Sequence, residues 1–307
     1  MPDTMQNPAP RSGPPWIEPL IQQKIKWRDG DIVISVPAKS GTTWTMNIVY
    51  QLLTGGTADF RDIYEEVPWI EFLGHPGQSH QDVIDRVDAM PITRRRAFKT
   101  HSAPPQIPFV KPGSGRDVKY IVVFRNPEEA LVSFKPFLEQ HADEWFDLWQ
   151  MPRGGLCRPN FQSFYSEVID GHGMQAMFFG FLAAWWPLRK ESNVLVLHYA
   201  DMKRHHQASI RKIAAFLGIE PAAERWPAIL EYTSFQWMKR HQDKFEAHSA
   251  GKIPILKSGA MIRKGETGKA QADGMTPEIS RHLRQLGDRI CPDAAAVNWL
   301  YEGGALP

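Results

Sequence analysis

Short apolar runs alternate along this chain with segments in which apolar residues recur at helical spacing. Residues 31–36, 118–124 and 193–198 are rich in β-branched side chains, which predicts three buried strands. Residues 96–100 are a shorter fourth candidate. Strands that alternate with helices in this way are typical of an α/β fold, in which helices flank a central, mostly parallel sheet.

The predicted helices begin and end at recognisable residues. After the first strand, apolar residues keep helical spacing until Gly55 ends the helix. Asn126 and Pro127 suit the N-cap and the first position of another helix. A third helix ends at Gly218, and the apolar segment 176–188 predicts a helix in the core. Ligands in such folds bind at the carboxyl ends of the strands, so the residues that follow each strand are the first candidates for chemistry.

Length and composition favour one domain. The chain has 307 residues, of which 42% are hydrophobic and 23% charged, close to ordinary globular usage. Its Pro-rich start has few apolar residues, so we expect residues 1–18 to be disordered and residues 19–307 to form a single domain. A net charge of +2 argues against a nucleic-acid partner, and the three arginines at 94–96 are too short a run to change this.

Membrane and metal sites are not expected either. Residues 176–188 are too few to span a bilayer as a helix, and the start of the chain lacks a signal-peptide core. Cys157 and Cys291 lack metal-ligand spacing, as do His205 and His206, which we interpret as the exposed start of a helix. We therefore expect a cytoplasmic protein without a metal, and the oligomeric state stays open.

The loop after the first strand is suited to an anion. Lys39 and Gly41 lie between that strand and the next helix, together with the hydroxyl groups of Ser40, Thr42 and Thr43. Free backbone N–H groups and the helix dipole converge at such a loop, and the lysine adds a full charge. A Walker A loop needs two glycines before its lysine, whereas the glycine here follows it. The alternative is an ordinary turn with a surface lysine.

Six sequence blocks, in order, resemble the cytosolic-type sulfotransferases, which use 3′-phosphoadenosine 5′-phosphosulfate (PAPS). They are PAKSGTTW at 37–44, FKTH at 98–101, VFRNP at 123–127 with a serine at 133, YADM at 199–202, TSF at 233–235 with a methionine at 238, and RKG at 263–265. The resemblance covers about residues 25–270. It implies a fold similar to that of the P-loop NTPases and transfer of a sulfuryl group from PAPS to a phenolic or alcoholic hydroxyl of a small acceptor.

The resemblance also implies residue roles. His101 is expected to be the general base, Lys39 to stabilise the departing 3′-phosphoadenosine 5′-phosphate (PAP), and Lys99 to support the transferring group. The expected donor site comprises Lys39, Ser40, Gly41, Thr42 and Thr43 at the 5′-phosphosulfate, Arg125 and Ser133 at the 3′-phosphate, Trp44, Tyr199 and Thr233 at the adenine, and Arg263, Lys264 and Gly265 in a lid. An imidazole can accept a hydroxyl proton at neutral pH, and an anionic donor needs several cations.

Two segments suggest mobility and an apolar acceptor. Residues 251–270 combine four glycines with five cations, which favours a lid over the nucleotide, although a solvated loop is the alternative. Aromatic residues between positions 145 and 165 are consistent with an apolar acceptor pocket, and core packing explains them equally well.

Some features depart from the family pattern, and two other functions remain open. Ala200 stands where the family usually has Glu, Lys269 and Ala270 stand where it has Asp-Trp, and its short dimer motif is absent from the same region. A P-loop-like kinase would share the sheet and the anion loop, but the strand before Arg125 ends without a Walker B aspartate. A non-catalytic nucleotide-binding protein would not need His101.

Overall fold

The computed structural model of the protein describes residues 14–307. It contains one parallel sheet in the order β2-β1-β3-β4. The strands are β1 (Ile32–Ser35), β2 (Ala97–Thr100), β3 (Lys119–Phe124) and β4 (Val194–His198). The predicted α/β class and all four predicted strands are therefore confirmed.

Helices cover both faces of this sheet. They are α1 (Thr42–Thr54), α2 (Ile63–Glu66), α3 (His80–Asp88), α4 (Pro127–Glu139), α5 (Asp143–Leu148), α6 (Phe161–Phe164), α7 (Ala176–Trp185), α8 (Tyr199–Arg204), α9 (His206–Leu217), α10 (Trp226–Tyr232), α11 (Phe235–Arg240), α12 (Pro277–Ile290) and α13 (Ala294–Glu302). Successive strand residues point to opposite faces, so Val33 joins one apolar cluster and Ile34 the other.

The predicted helix ends are confirmed. The side chain of Asn126 accepts a hydrogen bond from the Glu128 N–H and caps α4. Gly55 and Gly218 end α1 and α9 with left-handed backbones. The expected core helix is α7, which ends at Trp185 and continues into a single 3₁₀ turn.

The start of the described chain packs on the domain. Residues 1–13, most of the segment predicted to be disordered, lie outside the described residues. Trp16 makes edge contacts with Trp145 and Trp149, and Ile17 forms a β-bridge with Phe72. Residues 16 and 17 therefore belong to the folded domain, against the expectation of disorder up to residue 18.

Among residues 14–307, no helix combines the length and the apolar character needed to cross a bilayer. The cytoplasmic location stays a prediction.

Candidate active site

A cavity of about 770 Å³ opens at the carboxyl ends of the strands. Its walls include the residues that follow each of the four strands and part of the segment 251–270. Every residue predicted for the site lines this cavity except Ser40 and Thr233, which are fully buried behind it. The fold thus brings together residues that are more than two hundred positions apart in sequence, from Lys39 to Arg263.

The N-terminus of α1 forms one wall and leaves polar groups unsatisfied. Gly41 precedes the helix at φ 96° and offers no side-chain cap. A Cβ atom there would lie 2.7 Å from the Tyr199 ring, so the position requires glycine. The Thr42 hydroxyl is buried and has no hydrogen-bond partner. Unpaired donors at the positive end of a helix dipole fit a bound anion.

Arg125 ties this loop to the segment 251–270. Its guanidinium donates to the Lys39 carbonyl at 2.9 Å and to the Glu266 carbonyl at 3.1 Å. Its Nε lies 3.2 Å from the Glu129 carboxylate, which also accepts from the Gly268 N–H. Arg125 therefore both lines the cavity and forms an ion pair with a glutamate of α4.

The segment 251–270 has contacts of its own. Lys264 pairs with Asp273 at 3.0 Å, and Lys269 pairs with Glu266 at 3.3 Å. Gly265 adopts φ 61°, and a Cβ atom there would meet the Phe235 ring at 2.5 Å. Close packing of backbone against an aromatic ring holds this part of the segment against α11.

Two lysines bring positive charge to the middle of the cavity. Burial lowers the pKa of Lys39 to about 7, and the charges of Arg125 and Arg263 add to the effect. Burial likewise lowers the pKa of Lys99 to about 7, against the opposing charge of Glu71. The Lys39 amino group lies 4.1 Å from the Phe137 ring centre, and the Lys99 amino group lies 3.1 Å from the Trp69 ring centre. An anionic ligand beside these amino groups would favour their charged forms.

His101 is held through one ring nitrogen, and the other makes no hydrogen bond within residues 14–307. Its Nδ1 lies 2.6 Å from the Val36 carbonyl oxygen, which can only accept, so Nδ1 carries the proton and Nε2 keeps its lone pair. Burial, followed by the Lys99 and Lys39 charges, holds the pKa of His101 well below 6.5 despite the Val36 hydrogen bond. The ring is therefore neutral at pH 7 and able to accept a proton.

Glu71 fixes the backbone at this point and was missed by the sequence analysis. It is fully buried, and one carboxylate oxygen accepts from the His101 N–H at 2.6 Å and from the Thr100 hydroxyl at 3.0 Å. Burial raises its pKa, while the His101 N–H and Lys99 oppose that shift. Nothing in the sequence distinguished this glutamate from a surface one.

The remaining part of the cavity is mostly aromatic. Among the six aromatic residues expected between positions 145 and 165, Trp145 lines it, while the other five pack elsewhere. Other rings complete the wall: Trp16, Trp69, Phe72, Phe134 and Phe137. His141 lies among them, and burial lowers its pKa to about 4, so it too is neutral.

The exposed helix start predicted at His205 and His206 is found for His205 but not for His206. His206 begins α9 as predicted, but it is half-buried and lines the cavity, whereas His205 is exposed. Its ring lies 5.8 Å from that of Trp44, with planes 27° apart. Thr233, which is expected to help hold the adenine, is buried next to both rings. Its carbonyl accepts from Trp44 Nε1 at 2.8 Å, and its hydroxyl lies 3.1 Å from His206 Nε2.

No candidate metal centre is found in the described part of the chain: no group of three or more His, Cys, Asp and Glu side chains is arranged to bind an ion.

Comparisons with known proteins point to one family. A family model described as the sulfotransferase domain matches residues 29–290. Sulfotransferase 1A1 of Rattus norvegicus is 28% identical over 251 residues, which cover 81% of this chain and 80% of that protein. Sulfotransferase 1E1 of Homo sapiens is 29% identical over 245 residues, which cover 78% and 77%.

A solved structure shares the fold. The crystal structure of mouse sulfotransferase SULT7A1 complexed with PAP matches with a TM-score of 0.66 at 22% identity, covering 92% of this chain and 90% of that chain.

Proposed function

This chain belongs to the sulfotransferase family, and we propose that it transfers the sulfuryl group of PAPS to a hydroxyl group of a small, flat and largely apolar acceptor. The observation that carries the proposal is the placement of His101. Its Nε2, which makes no hydrogen bond within residues 14–307, belongs to a cavity with a cationic wall around Lys39, Arg125 and Arg263 and an aromatic wall around Trp16, Phe72 and Phe134.

The cationic wall fits an anionic nucleotide. The unsatisfied N-terminus of α1 and Lys39 suit the 5′-phosphosulfate, and Arg125 and Ser133 line the same cavity as candidates for the 3′-phosphate. Arg263 adds charge from the segment above. PAPS supplies an activated sulfuryl group, and the protein contributes position and charge.

His101 and the lysines act at the boundary between the walls. The neutral imidazole accepts the proton of the acceptor hydroxyl at Nε2, and the Val36 carbonyl stabilises the charge that then forms on the ring. Lys39, charged once an anion lies beside it, neutralises the oxygen that leaves with PAP. Lys99, whose charge also acts on His101, stabilises the transferring group.

The aromatic wall supports the acceptor class. Rings from the start of the chain, from the segment before β2 and from α4 give a flat apolar molecule large contact area. Glu71 and His141 are polar groups among these rings, so the acceptor can carry a second polar group.

Transfer of radiolabel tests the proposal. The purified protein is incubated with ³⁵S-labelled PAPS and, separately, with γ-³²P-labelled ATP and Mg²⁺, each with a naphthol, an aliphatic alcohol and an aliphatic amine. We expect sulfation of the naphthol and no phosphorylation. Phosphoryl transfer from ATP would favour the kinase alternative, and no transfer to any hydroxyl compound would contradict the proposed acceptor class.

A further inference from the structure

His206 belongs to a second aromatic wall, which lies at the nucleotide side of the cavity and is distinct from the acceptor wall. Trp44 and Tyr199 form the rest of this wall, in edge contact with ring centres 5.8 Å apart. The wall directly follows the anion-binding end of α1 and lies beside Arg125, whose guanidinium sits 4.7 Å from the Tyr199 ring centre. If PAPS is the donor, as proposed above, this wall is where its base can stack.

The hydrogen bonds of Thr233 determine which nitrogen of His206 carries the proton. The Thr233 hydroxyl has one proton and donates it to the Ile229 carbonyl at 2.7 Å. It can therefore only accept from His206 Nε2, at 3.1 Å. Burial lowers the pKa of His206 below its usual value, so the ring is neutral. Because Nε2 donates to Thr233, the single ring proton lies on Nε2 and Nδ1 has a lone pair.

The other polar groups of this wall are already engaged. Trp44 Nε1 donates to the Thr233 carbonyl, and the Thr233 hydroxyl contacts the Ile229 and Leu230 carbonyls as well as His206 Nε2. His206 Nδ1, in contrast, makes no hydrogen bond within residues 14–307. It is an open acceptor on a ring that lines the cavity.

We propose that His206 reads the nucleobase: its Nδ1 accepts a hydrogen bond from the exocyclic amino group of adenine. A purine with an oxo group at that position presents a second lone pair to Nδ1, and the two acceptors repel each other. His206 thereby selects a 6-aminopurine over a 6-oxopurine. Thr233 is the positioning residue that fixes its tautomer.

Calorimetry with two nucleotides tests this inference, which rests on the proposed function. The ligands are PAP and its hypoxanthine analogue, 3′-phosphoinosine 5′-phosphate. We expect the unmodified protein to prefer PAP by at least about tenfold, since a site built around a hydrogen bond rejects an analogue that cannot make it. His206→Phe keeps an aromatic ring and removes the acceptor, so the preference should fall to near one. His206→Asn, which keeps an acceptor oxygen, should retain part of it.

The matched control is His205→Ala, because His205 is the exposed neighbour and lies outside the cavity lining. It should keep the full preference. If His206 only supports Trp44, His206→Phe will weaken both nucleotides equally and leave the ratio unchanged, which overturns the inference. A ratio of one in the unmodified protein overturns it as well. Failure of the unmodified protein to bind PAP at all would contradict the proposed function itself.

Discussion

The two walls of the cavity are built by opposite means. The nucleotide wall, which is the cationic one, consists of short segments directly after strands, with glycine, lysine and arginine at fixed spacings. It leaves donors such as the Thr42 hydroxyl unpaired within residues 14–307. The acceptor wall gathers rings from distant segments, such as Trp16 and Phe137, which pack against the same buried apolar cluster. Charged recognition is therefore encoded locally in the sequence, whereas apolar recognition depends on tertiary structure.

The largest expected effect lies where the walls meet. Replacing the proposed base in His101→Ala should lower kcat by about 10²–10⁴-fold and leave the Kd of PAP essentially unchanged, because the imidazole acts on the acceptor proton. Steady-state kinetics and calorimetry measure the two quantities. His205→Ala is the control, and an unchanged kcat in His101→Ala would rule out the proposed role.

Removing charge from the nucleotide wall should affect only the donor. Arg125→Ala should weaken PAP binding by about 10- to 100-fold, the usual value of charge-assisted hydrogen bonds, and leave the KM of the acceptor unchanged. Arg116→Ala, which removes an exposed arginine paired with Asp29, is the control. An equal loss of acceptor affinity would mean that the two walls are not separate.

Removing a ring from the acceptor wall should have the converse effect. Trp16→Ala should raise the KM of a naphthol by about threefold to tenfold, since apolar contact area is lost, while PAP affinity stays the same. Trp226, partly buried on α10 and outside the cavity lining, supplies the control Trp226→Ala. If truncation at Trp16 weakens PAP instead, the assignment of this wall to the acceptor is wrong.

A smaller effect should appear with pH. The pKa of Lys39 in the free protein is about 7, below its usual 10.5, and an anion beside it favours the charged form. Above pH 7, Lys39 must then take up a proton when PAP binds, so the affinity for PAP should fall about fivefold between pH 7 and pH 8. Calorimetry in buffers of different ionisation enthalpy detects the uptake. Affinity that rises over this range would contradict the low pKa of Lys39.

The same contrast explains what the sequence could predict. The four strands, the caps at Asn126, Gly55 and Gly218, and the cavity position of Lys39 follow from local pattern or from family motifs, and the structure places them as expected.

Trp16 and Glu71 could not be found in this way. Trp16 lies in a Pro-rich segment, and an apolar side chain looks the same in sequence whether it lines a pocket or fills a core. Glu71 acts through a backbone N–H thirty positions away. His206 is held by Thr233, which is twenty-seven positions away, so its burial could not be predicted from the residues around it.

The most direct test of the nucleotide wall compares two ligands that differ by one group. Calorimetric titration of the unmodified protein with PAP and with adenosine 5′-phosphate measures what the 3′-phosphate contributes. We expect PAP to bind at least about tenfold more tightly, because only PAP carries the 3′-phosphate with which Arg125 can form charge-assisted hydrogen bonds. Equal affinity for the two ligands would contradict a donor site built for a 3′-phosphorylated nucleotide.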